Sequence, residues 1–230
     1  MSERPGLRFE IEASREQVWR ALVDPEALCG WFASDARVTP EVGGEWYVAH
    51  GEYGQSSTID ELVPNERLAT SHEGTGAAFE LEGRAGTTVL RIVQSGFGPA
   101  ELESLERGWG TYVQTLRHYL ARHADEQADS TYSYAPGFPT VAEARAALPR
   151  ALPDGAEVFD ESPRSVGARV PDLGDGIYRA SVEGSDGNVL AWVQLVAYGP
   201  GRERLSDITA EVRRALAAAT DSTARKEEQR

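Results

Sequence analysis

The 230-residue chain carries 37 acidic and 23 basic side chains, a formal net charge of −14 at neutral pH. The acidic excess is shared by both halves, so neither offers the basic surface that phosphate backbones require, and we expect neither nucleic acid nor an anionic membrane as a partner. Cys29 is the single cysteine, which excludes an internal disulfide and a thiolate metal cage. The start is polar and no apolar run reaches the roughly 20 residues that span a bilayer, so a cytoplasmic protein is predicted.

The first elements are a strand and a helix. Residues 7–12 alternate apolar and polar side chains, the period of a strand with one buried face. Ser14 and Gln17 then have the spacing of a capping box, which opens a helix. Pro25 lacks an amide proton and restricts the residue before it, so this helix should end near Val23.

Short strands separated by turn residues fill residues 36–95. Such a succession predicts an antiparallel meander. The predicted strands are 46–50, 57–63, 68–72, 78–83 and 87–95.

A long helix should follow Gly98-Pro99, because apolar residues recur there at helical spacing over about five turns. The stripe consists of Leu102, Leu105, Trp109, Val113, Leu116 and Leu120. Gly108 and Gly110 flank Trp109, and each should destabilise the helix by roughly 1 kcal/mol relative to alanine, which predicts a packing or cavity reason for them.

The rest of the chain is predicted to hold a second, smaller α+β unit. Residues 124–138 have the composition of a linker, 139–220 form the unit, and 221–230 are a polar tail. Aligning Gly98-Pro99 with Gly199-Pro200 places the strand 89–97 over 190–198, each followed by an amphipathic helix. The second unit is therefore either a shortened, diverged copy of the hairpin-plus-helix end of the first or a chance likeness.

Residues 7–123 resemble the START/polyketide-cyclase (SRPBCC) superfamily, in particular its heat-shock-chaperone ATPase-activator-like branch. Seven segments in the right order carry the resemblance: 17–22, Asp24-Pro25, 30–32, Val42-Gly43-Gly44, Pro64 with Arg67-Leu68, Gly86-Thr87-Thr88, and Ser95-Gly96-Phe97 with Gly108-Trp109. The resemblance implies a helix-grip α+β fold, in which a curved antiparallel sheet wraps a long C-terminal helix. His72 and Gln94 depart from the family, whose members often have Trp and His there.

The resemblance further implies a cavity between sheet and helix, and strand alternation predicts which side chains face it. The candidate ligand-binding residues are Trp31, Phe32, Trp46, Val48, His50, Leu68, Thr70, His72, Leu90, Ile92, Gln94, Trp109, Tyr112 and Val113. Apolar side chains with a few polar groups are the usual composition of a small-molecule site. The alternative is that these aromatic residues simply fill a core.

Catalytic signals are weak. His50 and His72, near Glu52 and Glu73, are the candidates for acid–base chemistry, since histidine exchanges protons near neutral pH. The sequence has no nucleophile elbow, phosphate-binding loop, dinucleotide fingerprint or zinc spacing, so no metal and no cofactor is predicted.

Three hypotheses about function follow. The first is a protein that binds a small hydrophobic or aromatic molecule in the cavity, for sequestration, carriage or sensing. The second is a cyclase, lyase or hydrolase that uses the same cavity. The third, which rests on the resemblance alone, is an interaction module of the chaperone-activator kind. A protein partner or a homodimer stays open.

Overall fold

The chain divides into two compact units, Met1–Glu126 and Gln127–Arg230, in the computed structural model. The structure describes the backbone of residues 6–84 and 86–227, and their side chains except at 84, 99–104, 106 and 222–227. The predicted loop at 84–86 and the last residues of the predicted tail therefore lie partly outside the described residues.

The first unit is a curved antiparallel sheet with three helices. Its elements are β1 (Leu7–Ile11), α1 (Arg15–Val23), α2 (Pro25–Cys29), β2 (Asp35–Val38), β3 (Glu45–His50), β4 (Tyr53–Val63), β5 (Arg67–His72), β6 (Thr75–Arg84), β7 (Thr87–Ser95) and α3 (Pro99–Arg122). The strand order is β1-β7-β6-β5-β4-β3-β2, so the first strand pairs with the last and the others follow as a meander. The predicted meander and long helix are confirmed.

Local signals explain how α1 and α2 begin. The Ser14 hydroxyl accepts from the Gln17 amide at 3.3 Å, and the Gln17 side chain accepts from the Ser14 amide at 2.9 Å, which completes the predicted capping box. Asp24 then caps α2 by accepting from the Glu26 amide at 2.9 Å, with Pro25 in the first helical turn.

The end of α1 is closed by two tryptophans. The last carbonyls of a helix lack intrahelical partners. Here the Trp31 indole N–H donates to the Ala21 carbonyl at 2.8 Å, and the Trp46 indole N–H donates to the Leu22 carbonyl at 2.9 Å. Both bonds are buried, so they tie α1 to the turn after α2 and to β3.

The turn into β3 requires its glycines. Gly43 has φ of +86°, a left-handed conformation that is unfavourable for residues with a Cβ atom. A Cβ on Gly44 would lie 2.1 Å from the Thr39 carbonyl oxygen. The predicted role of Val42-Gly43-Gly44 as the turn before the aromatic strand is therefore confirmed.

The glycines beside Trp109 are not explained by close packing. A Cβ built at Gly108 or Gly110 would meet no atom of the described residues within 4 Å. Close packing therefore does not require either glycine, and the cavity alternative stays a prediction.

The second unit is a five-stranded antiparallel sheet with helices on one face. Its elements are β8 (Ala128–Phe138), α4 (Val141–Ala147), a 3-10 turn (Leu148–Ala151), β9 (Glu157–Glu161), β10 (Ser165–Val170), a 3-10 turn (Pro171–Leu173), β11 (Gly176–Ser185), β12 (Asn188–Tyr198), a 3-10 turn (Gly199–Arg204) and α5 (Leu205–Glu227). The strand order is β8-β12-β11-β10-β9. As in the first unit, the first strand pairs with the last and the others form a meander.

Two boundaries differ from the prediction. Most of the predicted linker, residues 128–138, is strand β8, which pairs with β12 along its length. The strand accommodates Pro136 and Gly137 at a register shift, where Gly137 is skipped in the pairing with β12. Most of the predicted polar tail continues α5 as far as Glu227.

The interior of the second unit is filled with apolar side chains. Its core joins one face of the sheet to α4 and α5 and includes Ala168, Ala180, Ala191, Val193, Leu195, Ile208, Val212 and Leu216, all almost fully buried. Alanines on the sheet face let the helices lie close to it, because a short side chain leaves room for the helix backbone.

Candidate ligand cavity

A cavity of about 200 Å³ lies in the first unit between the sheet and α3. Its lining consists of Phe32, Trp46, Val48, His50, Gln55, Ser57, Thr70, Ser71, His72, Thr75, Gly76, Ala77, Phe79, Gln94, Phe97, Leu105 and Trp109. Gln55 is exposed, so the cavity opens to solvent beside it. Its volume is below the roughly 300–1,000 Å³ of sites for drug-sized ligands, so a ligand must be small.

Aromatic rings form the inner wall. The rings of Phe32 and Trp109 are stacked, with centroids 5.4 Å apart and planes 8° from parallel. Phe79 meets Trp109 edge-on at 5.5 Å, and Trp46 lies 6.3 Å from Phe79. These rings come from the turn after α2 and from α3, β6 and β3, so the wall exists only when sheet and helices have come together.

Polar side chains form the floor. Thr70, Ala77 and Gln94 are paired in register on β5, β6 and β7, so all three point to the same face of the sheet. His72 and Thr75 form the next row toward the end of the strands. The small Ala77 methyl leaves space between the Thr70 hydroxyl and the Gln94 amide.

His50 lies at the side of the cavity in contact with Tyr112. The Tyr112 hydroxyl is 3.4 Å from His50 Nδ1, a long hydrogen bond, and the Phe32 ring meets the His50 ring edge-on at 5.0 Å. Tyr112 itself is not part of the lining. The two predicted acid–base histidines therefore differ, because the His72 side chain is 39% exposed and its Nε2 lies 3.8 Å from the Glu73 carboxylate.

The charged side chains of these strands lie on the other face of the sheet. Arg67, Glu80 and Arg91 are paired in register there, with Arg91 donating to Glu80 at 2.7 Å and Arg67 bonded to Glu80 as well. Arg67 also donates to Glu61 at 2.7 Å, which is the main reason that its pKa is raised. Among the described lining residues there is no Asp, Glu, Lys or Arg.

The structure brings together eight of the predicted site residues. Phe32, Trp46, Val48, His50, Thr70, His72, Gln94 and Trp109 all line the cavity. The other six are elsewhere: Trp31, Leu68, Leu90, Ile92 and Val113 are buried in the core, and Tyr112 lies behind His50. Ligand contact by any of them remains a prediction.

Several lining residues were not predicted. Ala77 was missed because the strand was predicted to begin at residue 78, whereas β6 begins at Thr75. Phe79 lies inside the predicted strand, but its side chain was not assigned to a face. Alternation of Ala77, Phe79 and Leu81 was the available signal. Gln55 was missed in the same way, since β4 begins before the predicted Ser57.

A sheet whose first strand pairs with its last, with a long C-terminal helix and a cavity between them, defines the first unit as a helix-grip α+β domain. The family model described as "Activator of Hsp90 ATPase homolog 1-like protein" matches residues 12–121. The match lies within the first unit, and the resemblance found in the sequence is confirmed. No curated protein matches the chain.

The chain is similar to several solved structures, of which three are described. The Aha1 dimer from Colwellia psychrerythraea is 22% identical over 50% of this chain and 93% of its own, with a TM-score of 0.46. CalU16 from Micromonospora echinospora is 21% identical over 50% of this chain and 74% of its own, with a TM-score of 0.44. DynU16, from the dynemicin biosynthetic locus, is 18% identical over 99% of both chains, with a TM-score of 0.45.

No helix in the described part of the chain is both long enough and apolar enough to cross a bilayer.

Proposed function

We propose that the first unit binds a small hydrophobic or aromatic molecule in its helix-grip cavity, for sequestration, carriage or sensing. The observation that carries the proposal is an unfilled space of about 200 Å³ against a wall of four aromatic rings, Phe32, Trp46, Phe79 and Trp109. Each Å² of apolar surface that a bound ligand removes from water there stabilises the complex by about 25 cal/mol. Stacking on the rings adds to this contribution.

Filling the cavity tests the proposal. The probe is 2-aminonaphthalene, an uncharged dye of naphthalene size whose fluorescence changes in apolar surroundings. Ala77→Phe places a ring in the space above the floor, and Ala78→Phe is its matched control, because residue 78 points to the opposite face of the same strand. We expect the wild type and Ala78→Phe to bind the dye and Ala77→Phe to lose binding at least tenfold.

Two results would contradict the proposal. One is a wild-type protein that shows no saturable dye binding. The other is equal binding by Ala77→Phe and the wild type. Circular dichroism of each variant establishes that the fold is retained, so a loss of binding is assigned to the filled space.

An enzyme is the second candidate function, and the contact between His50 and Tyr112 is the observation in its favour. A histidine that contacts a phenol beside a cavity is placed to move a proton to or from a bound molecule. His50→Gln and Tyr112→Phe would then each abolish turnover of a bound compound while leaving its binding intact. His72→Gln, at the exposed end of the cavity, is the control. Turnover that persists in both variants would remove the assignment.

The family description supports a third candidate, stimulation of a heat-shock chaperone ATPase. This activity depends on a protein surface rather than on the cavity. Addition of the full chain to purified Hsp90 would then raise its ATPase rate, and Ala77→Phe would raise it equally. An unchanged ATPase rate would count against this candidate.

We further propose that the second unit is a shortened copy of the helix-grip domain that has lost its cavity. Both sheets place the first strand beside the last, and the last strand of each, β7 or β12, leads into the C-terminal helix. The alignment of the two Gly-Pro pairs equates Leu90, Ile92 and Gln94 with Ala191, Val193 and Leu195. All six point to the helix-covered face of their sheet. The ligand-binding role then belongs to the first unit.

The copy proposal makes a structural demand. An experimental structure of the chain should superpose β1 and β4–β7 on β8–β12 with the equated residues in register. A shift of the last strand by one residue would overturn the proposal, because every side chain would then change face.

A further inference from the structure

Two polar side chains on the cavity floor, those of Thr70 and Gln94, are free to contact a ligand. The hydroxyl of Ser71 donates to Asp60 at 3.0 Å, and the hydroxyl of Thr75 donates to the His72 carbonyl at 2.7 Å, so both are already engaged. The hydrogen bonds of residues 6–84 and 86–227 include no side-chain partner for Thr70 or Gln94. Thr70 is only 5% exposed, so its hydroxyl gains from a partner inside the cavity.

These two groups can reach the same ligand atom or two adjacent ones. Thr70 and Gln94 lie two strands apart with Ala77 between them, a backbone separation of roughly 10 Å. The glutamine side chain is long enough to reach over the alanine toward the threonine, so one ligand group above Ala77 is within reach of both. The hydroxyl both donates and accepts, and the amide does the same, so a carbonyl or a hydroxyl group of the ligand suits both.

The charge of the lining sets a second condition. Among the described lining residues none carries a carboxylate, an ammonium or a guanidinium group, and the ion pairs of the sheet lie on its other face. A charged ligand would leave water for an apolar wall without an opposite charge, which is strongly unfavourable. The cavity therefore favours an uncharged molecule.

The aromatic wall sets a third condition. Phe32 and Trp109 are nearly parallel, while Phe79 meets Trp109 edge-on. A flat ring system can stack or meet such rings edge-on, with favourable contacts in either arrangement. A space of about 200 Å³ suits a ring system of about naphthalene size better than a long acyl chain.

We infer that the cavity selects an uncharged, flat aromatic compound with a carbonyl or hydroxyl group, and that Gln94 and Thr70 recognise this group across Ala77. The inference rests on the proposed function, since it names the ligand class of the same cavity. Gln94 and Thr70 are then the residues that determine specificity, while the aromatic wall supplies most of the affinity.

The test uses three probes with one ring system: naphthalene, acetylnaphthalene and naphthoate. Binding is measured by quenching of tryptophan fluorescence at mildly alkaline pH, where naphthoate is an anion and histidine side chains are ordinarily neutral. We expect acetylnaphthalene to bind about two- to tenfold more tightly than naphthalene, the range that one hydrogen bond supplies. Naphthoate should bind at least tenfold more weakly than acetylnaphthalene.

Variants locate the recognition. Gln94→Leu and Thr70→Val retain the size of each side chain and should each reduce the preference for acetylnaphthalene over naphthalene by about two- to tenfold. Both variants should bind naphthalene as well as the wild type does, which also shows that they are folded. Gln114→Leu is the matched control, because this glutamine lies on α3 outside the cavity lining and accepts from Arg117 at 3.2 Å. It should retain the preference.

The outcomes separate the two proposals. If the wild type binds none of the three probes and no 2-aminonaphthalene, the proposed function fails and the inference fails with it. If the wild type binds the probes without preference, or binds naphthoate best, the inference alone is overturned. The same holds if Gln94→Leu and Thr70→Val keep the full preference for acetylnaphthalene.

Discussion

The indole ring of Trp109 lies parallel to the phenyl ring of Phe32, with centroids 5.4 Å apart. Trp109 belongs to α3, and Phe32 belongs to the turn after α2, so this contact joins the long helix to the first helices at the inner end of the cavity. Both side chains are largely buried, at 8% and 7% exposed. The pair therefore contributes both to stability and to the cavity wall.

A double-mutant cycle measures this contact. Phe32→Leu and Trp109→Leu should each lower the free energy of unfolding of the first unit. The loss in the double variant should be about 0.5–1.5 kcal/mol smaller than the sum of the two single losses, because the stacking can be lost only once. The free energy of unfolding is measured by chemical denaturation. A cycle of Phe32→Leu with Phe138→Leu, in the core of the second unit, is the control and should be additive. Additivity in the first cycle would show that the stacking contributes nothing beyond burial.

The tryptophans at the end of α1 lead to a second prediction. Trp31→Phe retains an aromatic ring but removes the donor to the Ala21 carbonyl, which would be left buried and unsatisfied. We expect a loss of about 1–3 kcal/mol in the free energy of unfolding. Trp19→Phe, a tryptophan of α1 that is only half-buried, should change the free energy of unfolding by less than about 0.5 kcal/mol. Equal effects would mean that the hydrogen bond is unimportant.

The glycines in α3 give a third prediction, of opposite sign. The described structure leaves open space where a Cβ would lie at Gly108 or Gly110. Gly110→Ala and Gly108→Ala should therefore each raise the free energy of unfolding by about 0.5–1 kcal/mol, since alanine restricts the unfolded chain and favours a helix. Gly44→Ala, where a Cβ would collide with the Thr39 carbonyl, is the contrasting variant and should destabilise. A loss of stability in both α3 variants would contradict the assignment of open space.

Much of the fold follows from local patterns in the sequence. The capping box of Ser14 and Gln17 set the start of α1, Pro25 set its end, and strand alternation correctly directed Leu90, Ile92 and Gln94 to one face. These features are set within a few residues, so a sequence pattern is enough to predict them.

The membership of the cavity could not be predicted in this way. Alternation gives the face of a strand but not the depth at which the helices cover it, so Leu68 and Thr70, on the same face of β5, lie in the core and in the cavity lining respectively. The two indole hydrogen bonds that close α1 also join residues of different elements, and no local pattern predicts them. For β8, pairing with β12 decides the structure of a segment whose composition is that of a linker.

A buried tyrosine in the second unit gives a fourth prediction, on pH dependence. The Tyr178 hydroxyl donates to the Leu148 carbonyl at 2.8 Å, and its burial raises the pKa of the phenol far above the ordinary value of 10.0. The pKa of Tyr178 is higher in the folded protein than in the unfolded chain. The buried phenol therefore makes its full contribution to the free energy of unfolding below about pH 10, and this contribution is lost as the pH rises toward the folded-state pKa.

The measurement compares the wild type with Tyr178→Phe by denaturation at several pH values. Above about pH 10 the stability advantage of the wild type should fall by about 1.4 kcal/mol per pH unit, because the unfolded tyrosine ionises and the folded one does not. Tyr53→Phe, at an exposed position, is the control and should follow the wild type. An advantage of Tyr178 that is constant from neutral pH to pH 11 would contradict the prediction.

The last prediction concerns Gln94 and its proposed counterpart Leu195. Gln94 lines the open cavity of the first unit, whereas Leu195 is 1% exposed in the filled core of the second. Leu195→Gln should destabilise the second unit by about 3–5 kcal/mol, since it removes buried apolar surface and buries an amide. Gln94→Leu should change the stability of the first unit by less than about 1 kcal/mol, because the cavity leaves room for either side chain. Four of the five tryptophans lie in the first unit and only Trp192 lies in the second. Tryptophan fluorescence therefore reports mainly on the first unit, and hydrogen exchange is the better method for assigning each loss to its unit. If Gln94→Leu destabilised as strongly as Leu195→Gln, position 94 would belong to a closed core, and the cavity would lose its polar floor.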